Sequence, residues 1–230
     1  MNELFRLLKF DFVLMHRYNI FIISIAVTLL YIGAFQLLKS YAEVENLIVL
    51  VIFNDPALIG FLFSGIMMIF ENDENTLSAL RITPIKFKNY ILSRSIILTV
   101  VALFCSLSIA TAGSANGFSV TVYCVSIILS TLIFSFIGIH IAAGERSFNS
   151  YIIKALGVIL FLTLPFLSFF GVWESFVFYA FPTMPLIELL RLSLQPEVSF
   201  DVLLPFLGLG LFWLGLTYFL ALQKLKNIES

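Results

Sequence analysis

Two ionisable residues interrupt the long apolar stretches of this 230-residue sequence, and they are the first candidates for chemistry. Asp55 stands in the run Asn54-Asp55-Pro56, and His140 lies near the end of an apolar stretch. Proton relays and ion sites inside a membrane use ionisable side chains that pair with one another. A hydrolytic site needs paired acids, a metal-binding His and Glu set, or a serine beside a His base. Neither residue has such a partner at helical spacing, and no Cys-x-x-Cys motif or Cys and His cluster indicates a metal. We therefore predict a chain that is not an enzyme and binds no cofactor itself.

The run Asn54-Asp55-Pro56 has two interpretations. An Asn or Asp before a Pro is typical of a helix start, with the polar residue as N-cap and Pro at the first helical position. On that interpretation residues 47–53 lie outside the second helix. In the other, Asn54 and Asp55 are polar contacts at the outer mouth of a substrate path. We interpret His140 as a histidine at the membrane interface rather than as a ligand.

The amino-acid composition indicates the environment that surrounds the chain. Apolar residues make up 60% of the chain and charged residues 12%, against about 45–50% and about 25% in soluble domains. A soluble fold of this size cannot hide so much apolar surface. The net charge of −1 provides no basic patch for phosphates, which excludes a nucleic-acid partner. We expect membrane lipid to surround most of the chain.

Six apolar runs are long enough to cross a bilayer, which takes about 20 residues of helix. They lack the alternation of outer-membrane strands. We therefore predict a single all-α polytopic domain over residues 1–230 with six transmembrane helices, at 20–38, 56–70, 95–112, 119–143, 155–172 and 202–222.

The basic residues predict the orientation of these helices. Eleven of the 13 Lys and Arg residues fall on one side of the predicted bundle, and only Lys39 and Arg191 fall on the other. Basic residues collect on the cytoplasmic side of membrane proteins. Both termini are therefore predicted to be cytoplasmic, in a multi-pass membrane protein.

Residues 1–18 precede the first apolar run and form a predicted amphipathic helix. Leu4, Leu8, Phe12 and Met15 fall on one side of it, and basic residues cluster on another. This pattern favours an interfacial helix on the inner leaflet, with a plain positive anchor as the alternative.

The longest predicted cytoplasmic connection is residues 71–94. Acidic residues open it, and a short helix over 76–82 is stopped near Pro84. A helix this short is marginal in water, so its apolar residues need a partner surface. That surface is either a groove on another protein or the lipid headgroup layer.

The connection resembles the corresponding segment of ABC-2 type permeases, the membrane subunits of bacterial ABC exporters. More narrowly, it resembles the small permeases of fluoroquinolone-type drug export systems. The resemblance extends over the whole chain, and it is carried by the run Glu71-x-x-Glu74-x-Thr76-Leu77-x-Ala79-Leu80-x-Ile82-Thr83-Pro84 followed by Asn89-Tyr90-Ile91-Leu92-Ser93-Arg94.

The resemblance implies an ABC-2 type permease fold and a coupling helix over residues 76–84 that docks on a separate ATPase subunit. It places Glu71 and Glu74 in an acidic patch at the cytoplasmic mouth. The coupling residues that it implies are Glu71, Glu74, Thr76, Leu77, Leu80, Arg81, Ile82, Thr83 and Pro84. ATP and Mg²⁺ would be used by the partner, because none of the 12 glycines here is followed by the Lys of a P-loop.

The outer segment, residues 173–201, is broken by Phe181, Pro182 and Pro185. The resemblance makes it an extracellular gate or re-entrant hairpin, and a connecting loop is the alternative. One copy of the chain would form half of a two-fold translocation unit, as a homodimer or a heterodimer with a second permease.

Together these features predict an exporter permease that moves a hydrophobic or amphipathic substrate, such as a drug or antibiotic. The alternative is an ATP-independent secondary carrier or channel.

Overall fold

The computed structural model describes residues 3–38, 45–74, 86–113, 118–195 and 199–229. All regular structure in these ranges is helical. The helices are α1 (Glu3–Arg17), α2 (Ile20–Leu38), α3 (Glu45–Leu58), a π-helix (Ile59–Phe63), α4 (Ser64–Asp73), α5 (Phe87–Gly113), α6 (Val120–Ala142), α7 (Phe148–Leu162), α8 (Phe166–Phe169), a 3-10 helix (Phe176–Ala180), α9 (Thr183–Ser193) and α10 (Phe200–Glu229).

Five helical segments are long and apolar enough to cross a membrane. They are Val49–Asp73, Phe87–Ala112, Val120–Ala142, Phe148–Phe169 and Phe200–Asn227. The α1 and α2 helices meet at a bend of 65°, and they add a sixth crossing if the pair counts as one span. The described part of the chain is therefore a polytopic helical membrane protein.

The interpretation of Asn54-Asp55-Pro56 as a helix start is wrong. Helix α3 begins at Glu45 and runs through Pro56 to Leu58, so these residues lie in a helix interior. Proline lacks the N–H that an interior position normally donates, which favours a helix end there. Tertiary packing overrides that preference, because Ile52 and Phe53 on the preceding turn are almost completely buried.

The π-helix that follows α3 packs closely against the centre of α6. Gly60 and Gly138 lack a Cβ where the two backbones meet, and a Cβ on Gly138 would lie 2.2 Å from the Phe61 carbonyl oxygen. That carbonyl accepts hydrogen bonds from the hydroxyls of Tyr151, at 2.9 Å, and Ser64, at 3.2 Å. The Tyr151 bond joins the π-helix to α7.

Residues 163–193 leave α7 and return beside its end, and the returning helix α9 is buried whereas residues 170–177 are mostly exposed. The hydroxyl of Thr183, at the start of α9, donates to the Leu162 carbonyl at the end of α7. At the other end of α9 the Ser193 carbonyl accepts from the Ser119 N–H before α6. Every residue from Pro182 to Leu190 is buried. The hairpin after α7 therefore places the start of α9 beside the end of α7, and the end of α9 beside the start of α6.

The two ends of the bundle differ in charge. We call the end that holds α1, Glu74 and Lys86 the charged end. The turn between α6 and α7 also lies there, where the Glu145 carboxylate accepts hydrogen bonds from Lys154 and Ser150. These bonds hold the pKa of Glu145 below its ordinary value. They join the turn to the first residues of α7 and so help to orient α7 against α6.

Candidate functional site

A buried ionic cluster joins three helices at the charged end. Arg94 on α5 is fully buried, as are Glu71 on α4 and Asp11 on α1. The Arg94 Nη2 lies 2.5 Å from Glu71 Oε1 and 2.8 Å from Asp11 Oδ1, and Nε donates to the same Asp11 oxygen at 3.1 Å. One guanidinium therefore holds both carboxylates.

Two neutral side chains complete this cluster. Tyr90 lies one turn before Arg94 on the same face of α5, donates to Glu71 Oε2 at 2.6 Å, and accepts from Arg94 Nη1 at 3.2 Å. The Ser93 hydroxyl donates to Asp11 Oδ2. Burying a charge is costly unless the charge is paired and hydrogen-bonded, and here each carboxylate oxygen has a partner. The cluster fixes the relative positions of α1, α4 and α5.

Helix α1 also contacts the residues on either side of segment 75–85. At its C-terminal end Arg17 forms an ion pair of 3.0 Å with Glu74. At its N-terminal end Glu3 accepts a hydrogen bond of 2.8 Å from the Lys86 backbone N–H. Most of the predicted coupling residues, namely Thr76, Leu77, Leu80, Arg81, Ile82, Thr83 and Pro84, lie outside the described residues. The structure does bring the flanks of that segment together on one helix.

Sequence reasoning missed Asp11 and the role of Arg94. The face of α1 that packs on the protein carries Leu7, Asp11 and Leu14, whereas Phe12 is exposed. Asp11 lies four residues after Leu7 and three residues before Leu14. This helical spacing is the signal in the sequence that places Asp11 on the packed face. In the sequence Arg94 is one of the basic residues that predict the orientation, because a charge count does not distinguish a buried arginine from an exposed one.

An apolar cavity of about 330 Å³ lies between α6, α7 and α10. Phe181 and Pro182, both predicted gate residues, form one side of it. The remaining lining residues are Ile137, His140, Val158, Phe161, Leu162, Ala180, Trp213, Thr217 and Leu220. Pro185, the third predicted gate residue of this segment, is buried one turn along α9.

Asn54 and Asp55 lie apart from this cavity. Asn54 donates to the Tyr31 hydroxyl at 3.0 Å and borders a second cavity of about 30 Å³. Leu162 lines both cavities. Asp55 is 2% exposed, and its Oδ2 atom has no hydrogen-bond partner within the described ranges. Unlike Glu71, it is a buried carboxylate without a basic partner there.

A third, polar cavity of about 570 Å³ borders α9. Its charged lining residues are Glu174, Glu188 and Arg191. The Arg191 guanidinium contacts Glu188 Oε2 at 2.7 Å. The cavity beside α7 and α10 is thus lined mainly by hydrocarbon, whereas the cavity beside α9 is lined by carboxylates and a guanidinium.

The sequence of this chain is similar to those of known membrane transport proteins. The model of the fluoroquinolones export permease protein family matches residues 2–220. The chain belongs to this family. Two fluoroquinolones export permease proteins of Mycobacterium tuberculosis, from strains CDC 1551 / Oshkosh and ATCC 25618 / H37Rv, are each 28% identical to this permease over 162 residues. Each alignment covers 67% of this chain and 68% of the relative. The resemblance that the sequence indicated is confirmed, and the chain is a drug-export type permease with several membrane-spanning helices.

Proposed function

We propose that this permease is the membrane subunit of an ATP-driven exporter with an ABC-2 type fold, and that its substrate is a hydrophobic or amphipathic drug. The proposal rests on one observation, that both residues flanking segment 75–85 are bonded to helix α1. Glu74 and Lys86 flank the segment, and both are bonded to α1, which the buried Arg94 cluster ties to α4 and α5. A surface that receives force from another protein needs such a rigid base.

The docking surface in this proposal consists of Glu71, Glu74, Thr76, Leu77, Leu80, Arg81, Ile82, Thr83 and Pro84. A separate ATPase subunit binds ATP and Mg²⁺ and moves this surface when it closes. The second span, Val49–Asp73, carries the movement inward because it holds both Glu71 and Asp55. Glu71 follows Asp55 by 16 residues, which corresponds to about 24 Å along the helix axis.

The substrate path in this proposal passes the candidate gate formed by Asn54, Asp55, Phe181, Pro182 and Pro185. Phe181 and Pro182 border the apolar cavity, and Asn54 borders the small cavity beyond Leu162. Movement of α9 or of the second span would join these spaces. The polar cavity near Glu188 then provides the exit toward water.

The assembled transporter would contain two permease chains, identical or paired with a second permease, and two ATPase subunits. It would lie in the inner membrane of a bacterium with both termini, and the charged end, facing the cytoplasm. The basic residues at the charged end support this orientation.

Docking of the ATPase is tested by purifying the tagged permease from its native membrane in mild detergent. We expect a P-loop ATPase to co-purify in stoichiometric amount and to be lost from Leu80→Asp, because a carboxylate would be buried in an apolar contact. Asn149→Asp is the control, since it adds the same charge to an exposed position at the charged end. Retention of the ATPase by Leu80→Asp would contradict docking through Leu80, and a folded oligomer without an ATPase would contradict the proposal as a whole.

An ATP-independent secondary carrier is the second candidate, and Asp55 is the observation that favours it. A buried carboxylate without a basic partner is a group to which coupling ions bind in carriers. Uptake into inverted vesicles, with ATP present or depleted, separates the two candidates. The exporter requires ATP, whereas a carrier transports in its absence and loses that transport in Asp55→Asn.

A further inference from the structure

Helix α1 carries large apolar side chains on its outer face as well as on the face that packs against the protein. Leu14 and Met15 are buried in the core, although the sequence pattern predicts Met15 on the membrane side. Phe5 and Phe12, by contrast, are 60% and 54% exposed. These two side chains are seven residues apart, so they form one row along the outer face, two helical turns apart.

This row continues the apolar surface of the next helix. The Phe12 and Phe21 ring centroids lie 5.2 Å apart, and Phe21 is in the first turn of α2. At spacings of four residues after Phe21, α2 exposes Ile25 and Leu29. Because α1 and α2 together qualify as a membrane span, acyl chains cover this face of α2. The same acyl chains therefore reach Phe12.

Basic side chains form the row beside the two phenylalanines. Lys9 follows Phe5 by four residues, and His16 follows Phe12 by four, so each lies next to a phenylalanine on the helix surface. Both are exposed, and so is Arg6, one residue after Phe5. The outer face of α1 thus places basic groups along the edge of an apolar row.

The acidic residues of α1 do not neutralise this row. Asp11 is buried beside Arg94, and Glu3 accepts the hydrogen bond from the Lys86 N–H. Within the described ranges Lys9 forms no ion pair. A helix face that combines exposed aromatic residues with unneutralised basic residues is complementary to the acyl chains and the phosphate of an anionic lipid.

We propose that the outer face of α1 binds an anionic phospholipid in the leaflet at the charged end. The lipid phosphate lies at Lys9, and an acyl chain lies along Phe5 and Phe12. The opposite face of α1 carries Asp11 of the buried Arg94 cluster. The lipid therefore holds α1 against the bundle from the outside, while the cluster holds it from the inside.

A soluble protein is the competing partner for this face, and it fits the surroundings less well. Phe12 packs beside Phe21, at the start of the apolar surface of α2. A protein that covered Phe12 would have to displace lipid from the first turn of α2. A phospholipid covers both regions at once, because its charged headgroup and its acyl chains belong to one molecule.

The proposal is tested with the full-length permease in nanodiscs that contain phosphatidylcholine and phosphatidylglycerol. The sequence has two tryptophans, so Phe12→Trp combined with Trp173→Phe and Trp213→Phe leaves one reporter, on the outer face of α1. Bromine on the acyl chains of one lipid at a time quenches this reporter when that lipid is its neighbour. We expect phosphatidylglycerol to occupy the neighbouring position about five- to tenfold more readily, because each basic residue near a membrane surface favours an anionic lipid by about fivefold.

One substitution with a matched control assigns this preference to α1. Lys9→Gln removes the charge beside the phenylalanine row, and we expect it to lower the preference for phosphatidylglycerol about fivefold. Lys226→Gln removes the same charge from an exposed position on α10. We expect the control to leave the preference unchanged.

Equal quenching by the two brominated lipids would overturn the proposal. An equal effect of Lys9→Gln and Lys226→Gln would also overturn it, because the preference would then follow the net charge of the protein. Quenching by aqueous iodide, with no quenching by either brominated lipid, would place this face of α1 in water and favour a protein partner instead. These nanodiscs contain no ATPase, so the result does not depend on the proposed export function.

Discussion

Replacement of Arg94 by methionine should destabilise the permease by about 3–5 kcal/mol, the cost of removing one partner from a buried ion pair. Methionine fills most of the arginine volume but leaves Glu71 and Asp11 facing each other without a cation. Their remaining donors, Tyr90 and Ser93, are neutral. We expect a lower free energy of unfolding in mixed-micelle denaturation and loss of drug export from cells.

The control for this substitution is Arg146→Met at an exposed position of the charged end, which should change stability by no more than about 0.5 kcal/mol.

A triple variant with Asp11→Leu, Glu71→Met and Arg94→Met removes all three charges together. Replacing a complete buried ionic cluster by apolar residues is often neutral or stabilising. We expect the triple variant to recover stability but not export, because the rigid base of segment 75–85 is altered. Full export by the triple variant would show that the cluster is structural only.

Substitution of Gly138 by alanine should cost about 3 kcal/mol, at the upper end of the range for overpacked cores. A Cβ there would lie 2.2 Å from the Phe61 carbonyl oxygen and 2.5 Å from Ser64 Oγ. Neither group moves easily, because the first is backbone and the second is hydrogen-bonded to the Ser135 carbonyl at 3.0 Å. The π-helix and α6 would have to separate, which we expect to lower the thermal midpoint in detergent.

Gly215→Ala is the matched control for this prediction. No atom lies within 4 Å of a Cβ at Gly215, which also sits inside a helix. Alanine has a higher helix propensity than glycine, so this change should be neutral or stabilising by up to about 1 kcal/mol. If Gly138→Ala were as stable as Gly215→Ala, the close backbone contact between the π-helix and α6 would be refuted.

Two contacts hold the second span, Val49–Asp73, against its neighbours. The Arg94 cluster holds the end of this span at Glu71. The close contact of Gly60 and Gly138 holds the middle of the span against α6. Asp55 lies beyond both, one turn before the π-helix. A π-helix inside a span is often a functional feature, and here it separates the candidate docking surface from the candidate gate.

The apolar runs of the sequence alone predicted most of the helices, because crossing a bilayer is a local requirement on twenty consecutive residues. The run 20–38 coincides with α2, and the run 119–143 lies within one residue of α6 at each end. The fifth helix begins eight residues before its apolar run, since Lys88 and Arg94 lowered the local hydropathy. The family was also predicted from the sequence, because the run after Glu71 is a local pattern.

The tertiary structure alone decided which polar residues are buried and with which partners. Asp11 and Arg94 are 83 positions apart and form a 2.8 Å ion pair, and no local pattern encodes that distance. Asn54-Asp55-Pro56 has the local signature of a helix start, yet packing of the preceding turn kept it inside a helix. His140 belongs to a cavity only because α7, α10 and the hairpin after α7 meet around it. Hydropathy and capping are properties of neighbouring residues, whereas ion pairs and cavities depend on contacts between distant parts of the chain.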